Sequence, residues 1–324
     1  MNDKLPVVFS DKYTILIAKL LRFFKSDLFQ DYPIDFQKFE KIAEQISVEY
    51  GELHTDISII SDDNLLLFHS KEYLEALKRN NKTAEIILGI EIPSAVSTWV
   101  VNRFLIDAAR YMASGTLIAS TLAMEHGWAI NIGGGFHHAK RDMGGGFCFF
   151  NDYAIASIKL RQQYPNLKIL YIDLDAHLGD GVISFANGFD DFFVFDIYNA
   201  FTTTRDSNHI LKTSKDGKIT TVGIEPYTSD EPYLALLYKY LPVAIDNAKP
   251  DFIFYNGGSD VLVSDKLGCL GISPEGLARR DAYVFEEAKK HNIPIAMCLS
   301  GGYGKENYKS VANSLLGVCR LMRS

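Results

Sequence analysis

The sequence has few cysteines, no long apolar run and no basic cluster. Its four cysteines, at positions 148, 269, 298 and 319 of 324 residues, are far apart and form no C-x-x-C pair. We therefore expect reduced core thiols, as in a cytosolic protein, instead of a disulfide framework. The most apolar early stretch, residues 14–24, contains Lys19 and Arg22. It is shorter than the ~20 residues that cross a bilayer, so no membrane span is expected.

The charge balance argues against a protein that coats nucleic acid. There are 33 Lys and Arg residues against 40 Asp and Glu residues, which gives a net charge of −7, and no basic run is longer than two residues. Nucleic-acid-binding domains usually cluster their Lys and Arg residues, so no direct binding to nucleic acid is expected. The first residues also lack the layout of a signal peptide. We expect a cytoplasmic protein, with access to a nucleus if the source has one; the oligomeric state is not determined by the sequence.

From about residue 128, apolar runs and helical stretches alternate along the chain. Five short runs rich in β-branched and aromatic residues predict buried parallel strands, at residues 128–132, 169–173, 192–197, 251–255 and 293–299. Helix starts are indicated at Asn151 or Asp152, at Ser229 or Asp230, and at Ser273 before Pro274. Further helical stretches are predicted at residues 36–50, 71–82, 103–126 and 307–322. The pattern predicts one α/β domain over residues 1–324, with a central, mostly parallel sheet flanked by helices.

Polar residues collect directly after four of the predicted strands. In parallel sheets, ligands bind beyond the carboxyl ends of the strands. Asp175 and His177 are two residues apart, so in extended backbone they face the same side, and Asp260 follows another strand. A lone D-x-H motif is more often structural. Several such groups at one sheet edge need a neutralising charge, and three protein ligands with an open position are typical of a catalytic zinc site.

The glycine runs at residues 133–135 and 144–146 do not predict a phosphate loop. Neither run completes G-x-G-x-x-G or G-K-[ST], so we expect these glycines to let backbone pass close to a substrate or metal. Among the other histidines, His126 and His291 are expected at helix ends. Three further histidines are expected to be structural or exposed: His54, His69 and His209.

With these residues identified, the sequence resembles the zinc-dependent histone deacetylases of the arginase/deacetylase fold, and most of all their class IV branch. Four stretches carry the resemblance: WAINIGGGFHHAKRDMGGGFCFFND (128–152), YIDLDAHLGDG (171–181), YNGGSDVLVSDKLGCLGIS (255–273) and LSGGYG (299–304). Weaker similarity extends to the N-terminal LPVVFSDKYTI. The resemblance implies a three-layer α/β fold of a single histone deacetylase-like catalytic domain.

The resemblance also implies roles for individual residues. Zinc would be bound by Asp175, His177 and Asp260, and the same donors would also accept Fe²⁺. The histidine pair would be His137, backed by Asp173, and His138, backed by Asp180. Tyr303 would stabilise the transition state. The acyl-lysine tunnel would be lined by Gly146, Phe147, Leu267, Gly301 and Gly302. A structural K⁺ or Na⁺ is implied near Asp173.

The implied reaction is hydrolysis of the amide of an acyl-lysine in a protein or peptide, with an acetyl or a longer fatty acyl group. A water molecule bound to zinc would be less acidic with two carboxylate ligands than in an all-histidine site. A protein base is therefore needed, and we assign this role to His138. The sequence departs from the common pattern in two respects. Leu178 replaces a polar residue, and the rim carboxylate that holds a peptide backbone is not identified, with Glu91 as its only candidate.

Three alternatives stay open from the sequence. An arginase-like enzyme with two manganese ions would need bridging carboxylates, as H-x-D and D-x-D, and the residues after His177 and around Asp260 do not supply them. Deacetylation of small amines such as polyamines would use the same machinery. A non-enzymatic binding module would have no need for so many costly polar groups at one site.

Overall fold

Eight strands form one sheet in the computed structural model, which describes residues 4–13, 37–200 and 211–324. In chain order they are β1 Val7–Val8, β2 Trp128–Asn131, β3 Ile169–Asp173, β4 Phe192–Asn199, β5 Leu211–Thr213, β6 Ile219–Ile224, β7 Phe252–Asn256 and β8 Ile295–Cys298. Across the sheet the order is β1-β2-β8-β7-β3-β4-β6-β5, and every pair is parallel except β5 with β6.

Helices flank this sheet in the described part of the chain. They are α1 Lys38–Tyr50, α2 Asp62–Leu65, α3 Lys71–Arg79, α4 Lys82–Leu88, α5 Thr98–Val101, α6 Asp107–His126, α7 Asp152–Gln163, α8 Asp180–Ala186, α9 Asp230–Ala248, α10 Pro274–Lys290 and α11 Asn307–Arg323. Helix α6 contacts β2 and β8, whereas α9 contacts β3 and β4. Strands β3 and β7 are buried at every residue, as expected for a parallel sheet covered on both faces. The predicted three-layer α/β fold is confirmed.

Local signals located the main elements. Strand β3 has the predicted bounds, and the other four predicted strands differ from theirs by one to two residues at one or both ends. Asn151 caps α7, since its side-chain oxygen accepts a hydrogen bond from the Ala154 amide at 2.9 Å. Ser273 caps α10 in the same way through the Gly276 amide at 3.0 Å. Short polar side chains at these positions satisfy amides that the helix cannot.

Some predicted bounds were wrong. The predicted helix at residues 71–82 ends at Arg79, because Asn80 is extended, and α4 starts separately. The predicted helix at residues 103–126 begins instead at Thr98, and it contains a π-helical turn, Asn102–Ile106, before α6. Strands β1, β5 and β6 were not predicted from the sequence. Strand β1 has two residues and β5 is exposed at all three of its residues, so neither carries a usable apolar pattern.

The predictions for residues 14–24 and for His209 lie outside the described residues. The four cysteines are free thiols, and three are buried, but Cys269 is partly exposed, so its assignment to the core was wrong. It lies in a loop with φ of 51° rather than in a strand or helix. In the described ranges, each helix is too short or too polar to cross a lipid bilayer.

Candidate metal centre and active site

The loops that carry the predicted site follow four adjacent strands, β2, β8, β7 and β3. The registers align the ends of these strands: Asn131 pairs with Cys298, Cys298 with Asn256, and Asn256 with Asp173. All four strands are parallel, so the residues that follow them emerge at the same edge of the sheet. His137 and Tyr303, which are 166 positions apart in sequence, are therefore brought to the same edge of the sheet.

Asp175, His177 and Asp260 converge at this edge. One potential ligand atom from each lies within 4.8 Å of the others. The Nδ1 atom of His177 is 3.1 Å from Oδ1 of Asp175 and 2.9 Å from Oδ2 of Asp260. Both carboxylates are buried, and the imidazole is partly exposed. Among the described residues, no other group of three His, Cys, Asp or Glu side chains meets the same distance criterion.

Backbone amides and one side-chain hydroxyl orient the two carboxylates. Oδ2 of Asp175 accepts hydrogen bonds from the Ser300 hydroxyl at 2.9 Å and the Gly301 amide at 3.0 Å. Oδ1 of Asp260 accepts one from the Ala176 amide at 3.0 Å. A Cβ atom at position 301 would lie 2.5 Å from a carboxylate oxygen of both aspartates, so only glycine fits there. The loop after β8 thus closes one side of the cluster.

The electrostatics of this cluster fit a divalent cation. Burial and the charge of Asp175 raise the pKa of Asp260 to about 7. Burial lowers the pKa of His177, but hydrogen bonds to Asp175 and Asp260 outweigh it and raise that pKa to about 11. Two buried carboxylates at this separation are expensive unless a positive charge lies between them. The oxygen and nitrogen donors also match those of catalytic zinc sites.

Two histidine–aspartate pairs lie beside the cluster. Nδ1 of His137 is 2.8 Å from Oδ2 of Asp173, and Nδ1 of His138 is 2.8 Å from Oδ1 of Asp180. The two imidazole rings are 4.0 Å apart between centroids. Burial lowers the pKa of His137, yet the carboxylates of Asp173 and Asp175 raise it to about 9.

His138 has the opposite electrostatic balance. Burial and the neighbouring His137 lower its pKa below the ordinary value of 6.5, against the attraction of Asp180. The side chain of His138 is 21% exposed to solvent, whereas that of His137 is 4% exposed. The two imidazoles therefore differ in both charge preference and access. The sequence predicted the pairs but not this difference.

Asp173 is fixed by residues that the sequence analysis did not single out. The Tyr171 hydroxyl donates to its Oδ2 at 2.6 Å, and the amide nitrogen of Asn256 donates to its Oδ1 at 2.8 Å. The Tyr153 hydroxyl donates in turn to the amide oxygen of Asn256 at 2.9 Å. Asn256 is the first residue of the N-G-G-S-D stretch, so its place in that motif could have identified it from the sequence. The two tyrosines are spaced like ordinary core residues, so no sequence pattern marks them.

A cavity of about 810 Å³, including its opening to solvent, leads to this site. Its walls include Gly146, Phe147, Gly301 and Gly302, which the sequence predicted as tunnel residues, together with Tyr303. Leu267 is not among its lining residues, and its side chain is 38% exposed. Gly146 has φ of 52°, and a Cβ atom there would lie 2.4 Å from the His138 ring. Both facts require glycine.

Tyr303 lies across this cavity from Phe147, with 5.8 Å between ring centroids. Burial and the carboxylates of Asp260 and Asp175 raise the pKa of its phenol above the ordinary value of 10.0, so the hydroxyl keeps its proton. The preceding loop is held by Lys38, whose ammonium donates to the carbonyls of Ser300 and Gly302 at 2.8 and 3.1 Å. No sequence motif pointed to Lys38.

The remaining predicted residues are placed as follows. His126 ends α6, and His291 follows α10, as expected. His69 is buried and structural: its Nε2 accepts from the Asn151 amide at 2.9 Å, and its Nδ1 lies 3.2 Å from the Arg141 carbonyl. Glu91 is exposed, and Leu178 is partly buried.

Comparison with known proteins identifies the family. The family described as "Histone deacetylase domain" matches residues 33–319. The chain is 32% identical to histone deacetylase 2 of Arabidopsis thaliana, over 98% of this chain and 79% of the relative. It is 34% identical to an uncharacterized protein of Picosynechococcus sp., over 74% of this chain and 75% of the relative. With histone deacetylase 8 of Xenopus tropicalis it shares 25% identity, over 77% and 68%. The chain belongs to the histone deacetylase family.

Proposed function

We propose that this protein is a zinc-dependent deacylase that hydrolyses the side-chain amide of acyl-lysine in proteins or peptides. Its family membership makes it a hydrolase of the deacetylase type. The observation that carries the finer proposal is the convergence of the Asp175, His177 and Asp260 donors with two histidine–aspartate pairs at the end of a largely apolar cavity. We also propose that residues 1–324 act as one catalytic domain of the class IV type, in the cytoplasm.

Zn²⁺ is the cation we assign to Asp175, His177 and Asp260. The two carboxylates nearly balance its charge, and Fe²⁺ would accept the same donors. When bound, such a cation polarises the amide carbonyl and makes a water molecule more acidic. The protein residues then supply the proton transfers and the hydrogen bonds that follow.

His138 is the residue we assign as general base. Its pKa lies below 6.5, so the imidazole is neutral near pH 7, and the hydrogen bond from Nδ1 to Asp180 leaves Nε2 free to accept a proton from water. The water oxygen adds to the amide carbonyl carbon as its proton moves to His138. When the C–N bond then breaks, an imidazolium of the pair protonates the leaving amine of lysine, and the acyl group departs as a carboxylic acid. His137 has a pKa raised to about 9, which favours a cationic partner beside the developing negative charge.

Tyr303 is the residue we assign to the oxyanion. Its phenol stays protonated, so it can donate a hydrogen bond to the carbonyl oxygen as that oxygen gains negative charge. A single donor of this kind contributes roughly 3 to 4 kcal/mol in other enzymes. The same hydroxyl would contribute less to binding the neutral amide, so its effect should fall on kcat.

A monovalent cation, K⁺ or Na⁺, fits beside Asp173. Asp196 pairs with Asp173 in the register of β3 and β4, and it is fully buried. Its Oδ2 accepts from the Gly179 amide at 2.9 Å, but its Oδ1 has no hydrogen-bond partner in the described residues. Burial and Asp173 raise the pKa of Asp196 above its ordinary value. Asp196 and Asp173 are the side chains that would hold this ion.

The cavity supports an apolar acyl group. Beyond the predicted tunnel residues, its lining includes Leu88, Leu105, Ala109 and Met112. This composition suits an acetyl group and also a longer fatty acyl chain, because both gain by leaving water.

A panel of lysine peptides carrying acetyl to myristoyl groups tests the proposal. The purified protein, with its metal content measured, should release the acyl group from at least one member of the panel, and Tyr303→Phe should lower kcat at least ~100-fold while metal content stays normal. An acetylated polyamine is the comparison substrate. Turnover of that amine alone would contradict the acyl-lysine assignment, and a metal-loaded protein that hydrolyses neither would contradict a catalytic role.

A further inference from the structure

Asp265 is a buried carboxylate, only 3% exposed, in the loop after Asp260. Its Oδ2 accepts hydrogen bonds from the Tyr303 amide at 2.6 Å, from the Gly304 amide at 3.2 Å and from the Asn307 side chain at 2.9 Å. Residues 301–304 belong to no helix or strand. The backbone amides of Gly304 and of Tyr303, the proposed oxyanion donor, therefore donate to the same side chain, and that side chain belongs to a different loop.

The other oxygen of Asp265 organises its own loop. Oδ1 accepts from the Leu267 amide at 3.1 Å and from the Gly268 amide at 3.4 Å. Gly268 packs directly on the backbone of Asp260, since a Cβ atom there would lie 2.0 Å from the Asp260 carbonyl oxygen. Asp265 consequently ties the segment that begins with a proposed metal ligand to the segment that carries Tyr303.

The tie matters because Tyr303 extends from an irregular loop. Upstream, Lys38 holds the carbonyls of residues 300–302, and downstream Asp265 holds the amides of residues 303 and 304. The phenol projects from the peptide between these two anchors. A displacement of about 1 Å in a group that must meet a reacting atom can lower a rate by ~100-fold.

We propose that Asp265 is a positioning residue that sets the location of the Tyr303 hydroxyl relative to the proposed metal ligands. This inference rests on the proposed function, since it assumes that Tyr303 acts on the substrate. Asp265 is not among the residues that line the cavity, and it acts through the backbone of residues 303 and 304. It is an addition to the residues that the sequence motifs indicated.

Asp265→Asn is the informative change, because the side chain keeps its size but one oxygen becomes an NH₂ group. In either orientation that group faces amide donors, so one of the two loops loses its acceptor. We expect kcat on the best acyl-lysine peptide to fall ~10- to 100-fold, with KM and metal content close to wild type.

A double-mutant cycle with Tyr303→Phe distinguishes positioning from general damage. If Asp265 acts through the Tyr303 hydroxyl, Asp265→Asn should lower kcat by less than ~2-fold in the Tyr303→Phe background. An equal loss in both backgrounds, or loss of metal in Asp265→Asn, would overturn the inference. If the asparagine variant does not fold, Asp265→Glu takes its place in the same cycle with Tyr303→Phe. It keeps the charge but shifts the carboxylate by one methylene.

Ser264→Ala is the matched control. It removes the hydrogen bond from the Ser264 hydroxyl to the Asn307 side chain at 2.7 Å, in the same cluster, but leaves the bonds of Asp265 to the Tyr303 loop. Its kcat should stay within ~2-fold of wild type. A wild-type protein whose turnover does not depend on Tyr303 would contradict the proposed role of that tyrosine. Normal dependence on Tyr303 with an additive cycle would contradict this inference alone.

Discussion

His138 and Asp180 form a hydrogen-bonded pair, with Nδ1 of the imidazole 2.8 Å from Oδ1 of the carboxylate. The second carboxylate oxygen lies 2.7 Å from the ammonium of Lys140. Burial raises the pKa of Asp180, but hydrogen bonds to His138 and Lys140 outweigh it and lower that pKa to about 2. Asp180 is therefore ionised near neutral pH, and it favours the tautomer of His138 with a proton on Nδ1.

The first prediction concerns this pair. Asp180→Asn should lower kcat/KM by ~10- to 100-fold, because a neutral amide no longer stabilises the imidazolium that His138 forms. Steady-state kinetics on an acyl-lysine peptide measure the effect. Asp190→Asn is the control, since Asp190 is fully exposed and paired with Lys218 away from the site. Similar activity in the two variants would argue against His138 as the base.

The second prediction separates the proposed ligands from the proposed base. Asp260→Ala should lose its metal during dialysis against a chelator, because one of three protein donors is gone. His138→Ala should keep wild-type metal content and still lose activity. Metal per chain, measured by atomic emission, gives the answer. Equal retention in both variants would remove Asp260 from the proposed ligand set.

The third prediction is a pH dependence of folding stability set by His69. Burial lowers its pKa from 6.5 to about 4. The unfolded chain takes up this proton near pH 6.5, whereas the folded chain does so only near pH 4, so acid favours unfolding in this window. Above pH 6.5 the contribution of His69 is constant. Between pH 6.5 and pH 4 the free energy of unfolding should fall by about 3 kcal/mol from this group.

Denaturant unfolding at several pH values tests the role of His69. His69→Gln can accept from the Asn151 amide but does not titrate, so its stability should fall less steeply below pH 6.5 than that of wild type. His126→Gln, at the exposed end of α6, should retain the wild-type slope. If His69→Gln shows that same slope, His69 is not the titrating group.

The fourth prediction concerns a buried ion pair beneath the site. Arg280 is fully buried, and its Nη1 donates to the carbonyls of Leu174 at 2.9 Å and Gly258 at 2.7 Å, in the loops that precede Asp175 and Asp260. Its Nε donates to Asp281 at 2.9 Å. Arg280→Met should destabilise the fold by about 3 to 5 kcal/mol, because the Asp281 carboxylate is left buried without its cation.

Two comparisons make the Arg280 prediction specific. Adding Asp281→Asn to Arg280→Met should restore part of the stability, because the uncompensated charge is removed. Arg279→Met, which breaks an exposed ion pair with Glu231, should leave the unfolding midpoint nearly unchanged. A small effect of Arg280→Met in urea unfolding would refute the role of the buried charge.

The sequence predicted the elements that depend on local signals. The apolar run of β3 and the caps Asn151 and Ser273 each act within a few residues, so they could be found without a structure. Boundaries without such signals were missed, such as the extended Asn80 between α3 and α4. The two-residue strand β1 forms only because β2 offers it a partner 123 positions away.

For the site, the sequence by itself determined which candidate donors follow which strands: Asp175, His177 and Asp260, the proposed metal ligands, carry a chemical pattern that can be recognised without coordinates. Tertiary structure alone decided how these groups are held. The contacts of Asp265 with Tyr303 and of Arg280 with Leu174 join residues 38 and 106 positions apart. Their partners are backbone atoms, which every residue possesses, so no sequence pattern marks them, and only the packing of the loops selects which amides and carbonyls are met.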